Sequence, residues 1–251
     1  MKRLVVLAGV VGMLSAPAVQ AAMQVTLMDD TSQYSYGNGG EFRAVGNSDL
    51  LGALYNLAAY SSSTKGTVGA ADVGSWGYSS GLAGQSYFQT FCIETSEEFS
   101  PGAAYNVSLS DKAKYGSQGP NGDPISIGTA YLYSQFAKGI LSGYNYAYGG
   151  GRTTSAGALQ QAIWWLEDET GGVKNSFITA AETALGNLTD AQIKADAYGA
   201  YGVMALNLGA PGAVQDQLVL VPEPATCVAG ALLLLPFGVS TLRVFRKNRR
   251  A

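Results

Sequence analysis

Residues 159–168 read LQQAIWWLED and belong to a predicted helix that spans Thr154–Glu167. At 100° per residue, this helix has one apolar face, formed by Leu159, Ala162, Ile163 and Leu166. Gln160 flanks the apolar face, whereas Gln161 points nearly opposite to it. The pattern therefore places one of two adjacent glutamines beside the core.

The second informative stretch is FCIE, residues 91–94, within a predicted strand over Tyr87–Glu94. Both sides of this strand are partly apolar, so alternation leaves open which side Cys92 faces. The chain has two cysteines, and the other, Cys227, lies in the apolar run near the C-terminus. The two are not expected to meet, so a structural disulfide is not expected.

The remaining pattern predicts an α+β fold, with a strand-rich frame and an inserted helical segment. We expect a single ectodomain over residues 22–215, since no linker separates two domains. Predicted helices are Leu50–Tyr60, Ile125–Leu141, Thr154–Glu167 and Asn175–Leu185, and predicted loops are Ser61–Gly84 and Gly143–Gly151. Predicted strands are Met23–Met28, a short one around Phe42, Tyr87–Glu94, Ala104–Leu109, Val203–Leu208 and Gln217–Val221.

Both ends of the chain have targeting patterns. Residues 1–21 read as a signal peptide, with Lys2 and Arg3 before the apolar run Leu4–Leu14 and small residues near the cleavage point. Residues 225–242 carry no charge and would span roughly 27 Å as a helix, enough for a bilayer core. The basic cluster that follows predicts a cytoplasmic end.

Pro222-Glu223-Pro224 stands directly before that apolar run. The order of Pro-Glu-Pro, apolar helix and basic cluster resembles the PEP-CTERM sorting signal of Gram-negative bacteria, here over residues 216–251. The resemblance implies recognition of Pro222, Glu223 and Pro224 by an exosortase in the membrane. It also implies export across the inner membrane as an anchored precursor, followed by the cell surface or an exopolysaccharide matrix. A plain single-pass anchor is the alternative.

The two stretches of the ectodomain together resemble the thioester domains of surface adhesins. In that family, a strand cysteine attacks the glutamine amide of a Thr-Gln-X-Ala-Ile-Trp motif. This chain matches the motif at Gln160, Ala162, Ile163 and Trp164, and it has Leu159 in place of threonine. The resemblance implies an adhesin with an internal thioester between Cys92 and Gln160, open to attack by an amine or hydroxyl on a partner surface. Alternatively, Cys92 is a small buried apolar residue and Gln160 an ordinary helix residue.

Composition narrows the function classes. Charged residues make up 13% of the chain, about half the usual share, and there is no histidine. Ser-His-Asp and Cys-His catalysis and most zinc sites are thereby excluded. Residues 22–224 carry 8 basic and 18 acidic residues, a net charge of −10, so no nucleic-acid role is expected. No catalytic residue, cofactor or metal is expected.

Two further functions remain open. Tyr144, Tyr146 and Tyr148 could form a carbohydrate platform, although an ordinary surface loop is the simpler interpretation. The carboxylates of Glu97-Glu98 and Glu167-Asp168-Glu169 could indicate a glycosidase, although adjacency in sequence favours solvated faces and helix ends. A noncovalent structural or carbohydrate-binding matrix protein is the main alternative to an adhesin.

Overall fold

The structure is a computed structural model that describes residues 22–29, 35, 36, 39–114, 122–209 and 214–222. The predicted signal peptide 1–21 and the predicted membrane helix 225–242 lie outside the described residues, as do Glu223 and Pro224. Pro222 is the last described residue. In the part of the chain that is described, no helix is long and apolar enough to cross a bilayer.

The described part mixes helices and strands, which confirms the expected α+β composition. The helices are α1 (Ser48–Ala53), α2 (Ala70–Trp76), α3 (Ile127–Ala137), α4 (Gly150–Leu166), α5 (Ser176–Ala184) and α6 (Asp190–Ile193). The strands are β1 (Gln24–Asp29), β2 (Ser35–Tyr36), β3 (Gly39–Gly40), β4 (Phe42–Gly46), β5 (Lys65–Thr67), β6 (Ser86–Thr90), β7 (Ala104–Ser110), β8 (Lys112–Ala113), β9 (Asp123–Pro124), β10 (Val203–Leu208) and β11 (Gln217–Leu220).

Seven strands form one antiparallel sheet in the order β11-β10-β7-β1-β4-β6-β5. Directly after β6, the chain no longer pairs beside β5 and instead runs beside β11. The Leu218 N–H donates to the Phe91 carbonyl at 3.0 Å, and the Ile93 N–H donates to the Asp216 carbonyl at 3.1 Å. The segment that continues β6 therefore joins β11, the strand at the opposite end of the sheet order.

Apolar side chains from the sheet and from α3, α4 and α5 pack into one large buried cluster that includes Phe88, Phe91 and Phe136. A smaller cluster, formed by Met28, Val45, Val68, Val73 and Leu82, packs beside α2. Every residue from Phe88 to Glu94 is buried. Both sides of this strand are covered, which explains why alternation alone does not orient Cys92.

Two predicted boundaries were wrong. The helix expected over Leu50–Tyr60 ends at Ala53, because Tyr55, Asn56 and Leu57 have φ between +49° and +60°, which an α-helix does not accept. The expected loop Ser61–Gly84 contains β5 and α2. Both elements are too short to establish a clear periodicity.

Candidate functional site

Cys92 lies at the junction between the end of β6 and β11. It forms an isolated antiparallel bridge with Gln217 and is fully buried. Its neighbours Phe91 and Ile93 make the main-chain bonds to β11. In an antiparallel pair the intervening residue directs its own N–H and C=O away from that partner. Cys92 therefore presents its main-chain polar groups to the other side.

The side chain that receives those groups belongs to Gln160 on α4. Its Oε1 accepts a hydrogen bond from the Cys92 N–H at 3.1 Å, and its Nε2 donates to the Cys92 carbonyl at 2.8 Å. The structure thus brings Cys92 and Gln160 together although they lie 68 positions apart in the sequence. The Gln160 amide therefore binds the main chain of Cys92, the residue that carries the thiol.

The amphipathic pattern of α4 accounts for the choice between the two glutamines. Gln160 is 1% exposed, while Gln161 is exposed to solvent. Leu159, on the apolar face, has no exposed surface. The residue that stands where the adhesin motif has threonine is therefore a core residue of this fold.

Strand β3 packs directly over Gln160. The Gly40 N–H donates to Gln160 Oε1 at 3.4 Å. A Cβ added to Gly39 would stand 2.5 Å from Gln160 Cγ and 2.7 Å from Trp164 Cη2, closer than real Cβ atoms come. Gly40 has φ of +123°, a conformation that favours glycine. Both glycines are thus required for β3 to approach the amide this closely.

A buried ion pair fixes the residue that follows β3. Arg152, near the start of α4, holds the Glu41 carboxylate with contacts between 2.9 and 3.1 Å, and both side chains are nearly inaccessible to solvent. The Tyr144 hydroxyl also donates to Glu41. Breaking a buried pair of this kind usually costs about 3–5 kcal/mol, because one charge is left uncompensated. The pair ties the segment after β3 to the helix that carries Gln160.

The Cys92 thiol lies in a water-poor environment. Gln217 Nε2 is 3.4 Å from Cys92 Sγ and donates to it. Burial raises the pKa of the Cys92 thiol well above its ordinary value, the hydrogen bond from Gln217 opposes that shift, and the nearby Glu94 and Asp29 carboxylates add to it. The folded protein therefore holds Cys92 as a neutral thiol at neutral pH.

Two coupled carboxyl groups, Glu94 and Asp216, lie where residues 92–94 meet residues 215–217. Burial, together with the neighbouring Asp216 and Glu97 carboxylates, raises the pKa of Glu94 to about 9. Burial raises the pKa of Asp216 to about 6, opposed by hydrogen bonds from the main-chain N–H groups of Lys114 and Leu208. Glu94 Oε2 accepts from the Asp216 N–H at 3.2 Å, whereas its buried Oε1 has no hydrogen-bond partner among the described residues. Glu94 is thus a neutral carboxylic acid near Cys92 at pH 7.

The sequence prediction named Cys92 and Gln160 but missed four residues around them: Gln217, Glu94, Gly39 and Gly40. Gln217 opens an otherwise apolar predicted strand, QLVL, and a polar residue in that place is a signal that could have been used. Glu94 follows Cys92 by two positions on a strand, which puts both on one side. Gly39 and Gly40 give no such signal, because nothing local indicates that they contact α4.

The other candidate residues do not form sites. Tyr144 is 7% exposed and faces the core, while Tyr148 is 73% exposed, so the three tyrosines do not share one exposed platform. The expectation that Glu167 is solvated was wrong. It is 4% exposed and accepts from the Ser126 hydroxyl at 2.8 Å, and burial raises its pKa to about 7. Glu167 therefore holds Ser126, the N-cap residue of α3.

Metal binding finds no support in the described ranges. They contain no group of three or more histidine, cysteine, aspartate or glutamate side chains that could hold a metal ion. What the Cys92–Gln160 arrangement offers is acyl-transfer chemistry between a thiol and a primary amide, without histidine and without metal.

Comparison with known proteins gives no relative from which a role for Cys92 or Gln160 could be taken. No protein-family model, no curated protein and no solved structure matches this chain.

Proposed function

We propose that this chain is an exported cell-envelope or matrix protein, a surface adhesin whose ectodomain forms an internal thioester between Cys92 Sγ and Gln160 Cδ. The observation that carries the proposal is the contact between the Gln160 amide and the Cys92 main chain, at 2.8 and 3.1 Å. The thiol and the amide are both buried, and water, which would hydrolyse a thioester, is kept away. The proposed role is covalent attachment to an amine or hydroxyl on a partner, rather than enzymatic turnover.

Intact-mass measurement on the purified full-length chain tests the bond. We expect the wild-type mass to be lower by one ammonia than the mass of its unmodified sequence, and tandem mass spectrometry to join Cys92 to Gln160 rather than to Gln217. Gln160→Ala should keep its full mass and a free thiol, and Gln161→Ala, which changes the exposed neighbour, should behave as wild type. An unmodified wild-type mass would exclude the thioester.

A noncovalent structural or carbohydrate-binding matrix protein is the second candidate. The observation that favours it is the same pair of hydrogen bonds, since they also satisfy two buried main-chain groups without any chemistry. Retention of the protein on its native exopolysaccharide separates the two candidates. The noncovalent role predicts equal retention of wild type and Cys92→Ala under denaturing washes, whereas the thioester predicts that only wild type resists them.

For the C-terminal segment we propose sorting by an exosortase at Pro222-Glu223-Pro224, with the membrane helix 225–242 as a transient or permanent anchor. The support is the order of the motif, the uncharged run and the basic cluster in the sequence. In an exosortase-positive host, Glu223→Ala should accumulate as uncleaved membrane precursor. Glu98→Ala, an exposed glutamate of the ectodomain, is the matched control and should be processed normally.

A further inference from the structure

Two main-chain N–H groups from different parts of the chain converge on one oxygen. Gln160 Oε1 accepts from the Cys92 N–H at 3.1 Å and from the Gly40 N–H at 3.4 Å. This oxygen belongs to the side-chain carbonyl of Gln160, whose carbon, Cδ, the Cys92 sulfur would attack in the proposed reaction. Paired main-chain donors on such an oxygen are the usual means of stabilising the negative charge that acyl transfer creates.

We propose that the N–H groups of Gly40 and Cys92 form an oxyanion hole for acyl transfer at Gln160 Cδ, an inference that rests on the proposed thioester. In the forward step the Cys92 sulfur bonds to Cδ, and the π electrons of the carbonyl move onto Oε1. The oxyanion is held by the two N–H groups while the tetrahedral intermediate exists. When the carbonyl re-forms, the bond from Cδ to Nε2 breaks, and Nε2 leaves as ammonia with the proton of the thiol.

The same two donors serve the reaction with a partner. An amine nitrogen bonds to Cδ of the thioester, charge again develops on Oε1, and Sγ leaves with the proton of the amine. The products are an amide-linked partner and a free Cys92 thiol. Because the charge develops on the same oxygen in both steps, one hole lowers both barriers.

Both donors are held in place before the reaction. Cys92 is flanked by the main-chain bonds of Phe91 and Ile93 to β11, at 3.0 and 3.1 Å. Gly40 precedes Glu41, whose carboxylate is fixed by Arg152 at 2.9–3.1 Å. Donors that need no reorganisation are the ones that stabilise a transition state most, and removal of one such donor slows acyl transfer by about 10²–10³-fold.

Replacing residue 40 by glycolic acid through nonsense suppression tests the hole, because it exchanges the N–H for an ester oxygen and keeps the rest of the residue. The matched control is the same replacement at Gly102. Its N–H bonds the Leu27 carbonyl at 2.8 Å, and its φ is also positive, at +82°. The purified full-length chain is opened with ammonia, the ammonia is removed, and re-formation of the bond is followed by intact mass.

We expect wild type and the Gly102→glycolate variant to re-form the thioester at similar rates, and the Gly40→glycolate variant to be roughly 100-fold slower. Methylamine should open the bond of the Gly40 variant more slowly by a similar factor. Equal rates for the two esters would overturn the oxyanion hole and leave the thioester intact. If wild type never loses ammonia, the thioester itself fails, and the hole fails with it.

A second measurement covers the case in which the Gly40 variant does not fold. In wild type with isotope-labelled glutamine, the infrared stretch of the thioester carbonyl reports its hydrogen bonds directly. Two donors should lower the frequency below that of an unbonded thioester in an apolar solvent. An unshifted frequency would overturn the proposal without any variant at residue 40.

Discussion

Glu94→Gln should remove most of the loss of stability that we expect for this protein between pH 7 and pH 8.5. Burial, with help from Asp216 and Glu97, raises the pKa of Glu94 to about 9, far above its ordinary value. A carboxyl group whose pKa is raised by folding binds its proton more tightly in the folded chain. Its contribution to stability is therefore fully present below the unfolded pKa and is lost as the pH rises through the folded pKa.

The choice of pH range isolates Glu94. Burial raises the pKa of Asp216 to about 6, so its titration is largely complete at pH 7. Burial raises the pKa of Glu167 to about 7, so this group is half titrated at pH 7 and accounts for only about 0.4 kcal/mol of the change above it. Above pH 7 the folded chain still holds the Glu94 proton, and the unfolded chain does not. One proton of difference corresponds to about 1.4 kcal/mol per pH unit, so 1.5 units cost roughly 2 kcal/mol.

Urea unfolding of the full-length chain at pH 7 and pH 8.5 measures the effect. Both proteins carry Cys92→Ala, which removes the titration of the thiol and any crosslink. We expect the parent midpoint to fall by about 1 M urea between the two pH values, and the Glu94→Gln midpoint to fall much less. Glu98→Gln makes the same substitution at an exposed residue four positions away and should keep the parent slope. Equal slopes for Glu94→Gln and the parent would refute the buried, protonated carboxyl.

Three further predictions test the frame around the site. Arg152→Met should lower the free energy of unfolding by about 3–5 kcal/mol because the buried Glu41 carboxylate loses its opposite charge, and urea unfolding checks this. The surface-paired Lys174→Met is its control and should change stability far less. Gly39→Ala should abolish ammonia loss in the intact mass, because the new Cβ would displace Gln160 and the Trp164 ring. Gln217→Ala should still lose ammonia, and a full-length mass without that loss would move the acyl partner from Gln160 to Gln217.

The helices that position Gln160 could be predicted because their signal is local. The apolar face of α4 repeats at helical spacing, and that spacing alone separates buried Gln160 from exposed Gln161. The strands β7, β10 and β11 were likewise predicted to within one residue, since apolar runs between turn residues are read over a few positions. Expectations of this kind use only neighbours in the sequence.

The closure of the sheet at Cys92 could not be predicted from local pattern. Gln217 meets Cys92 across 125 positions, and Glu41 meets Arg152 across 111. Such contacts depend on the register of distant strands, and register is set by the whole sheet rather than by either segment. For the same reason, the local sequence does not indicate that the two glycines of β3 contact α4.

Charge helps to decide between the two kinds of nucleophile that a thioester accepts. Residues 22–224 carry a net charge of −10, and Glu97 and Asp216 lie near Glu94. Such a field draws cations toward the protein and repels anionic groups, within a screening length of about 8 Å at physiological salt. A hydroxyl gains nothing from this field, whereas an ammonium group is concentrated by it. A negative field also keeps the ammonium group protonated, and the amine must lose that proton before it can attack Gln160 Cδ. The proton is lost when the amine enters the less polar interior. The electrostatics therefore favour a partner that presents primary amines over one that presents only sugar hydroxyls.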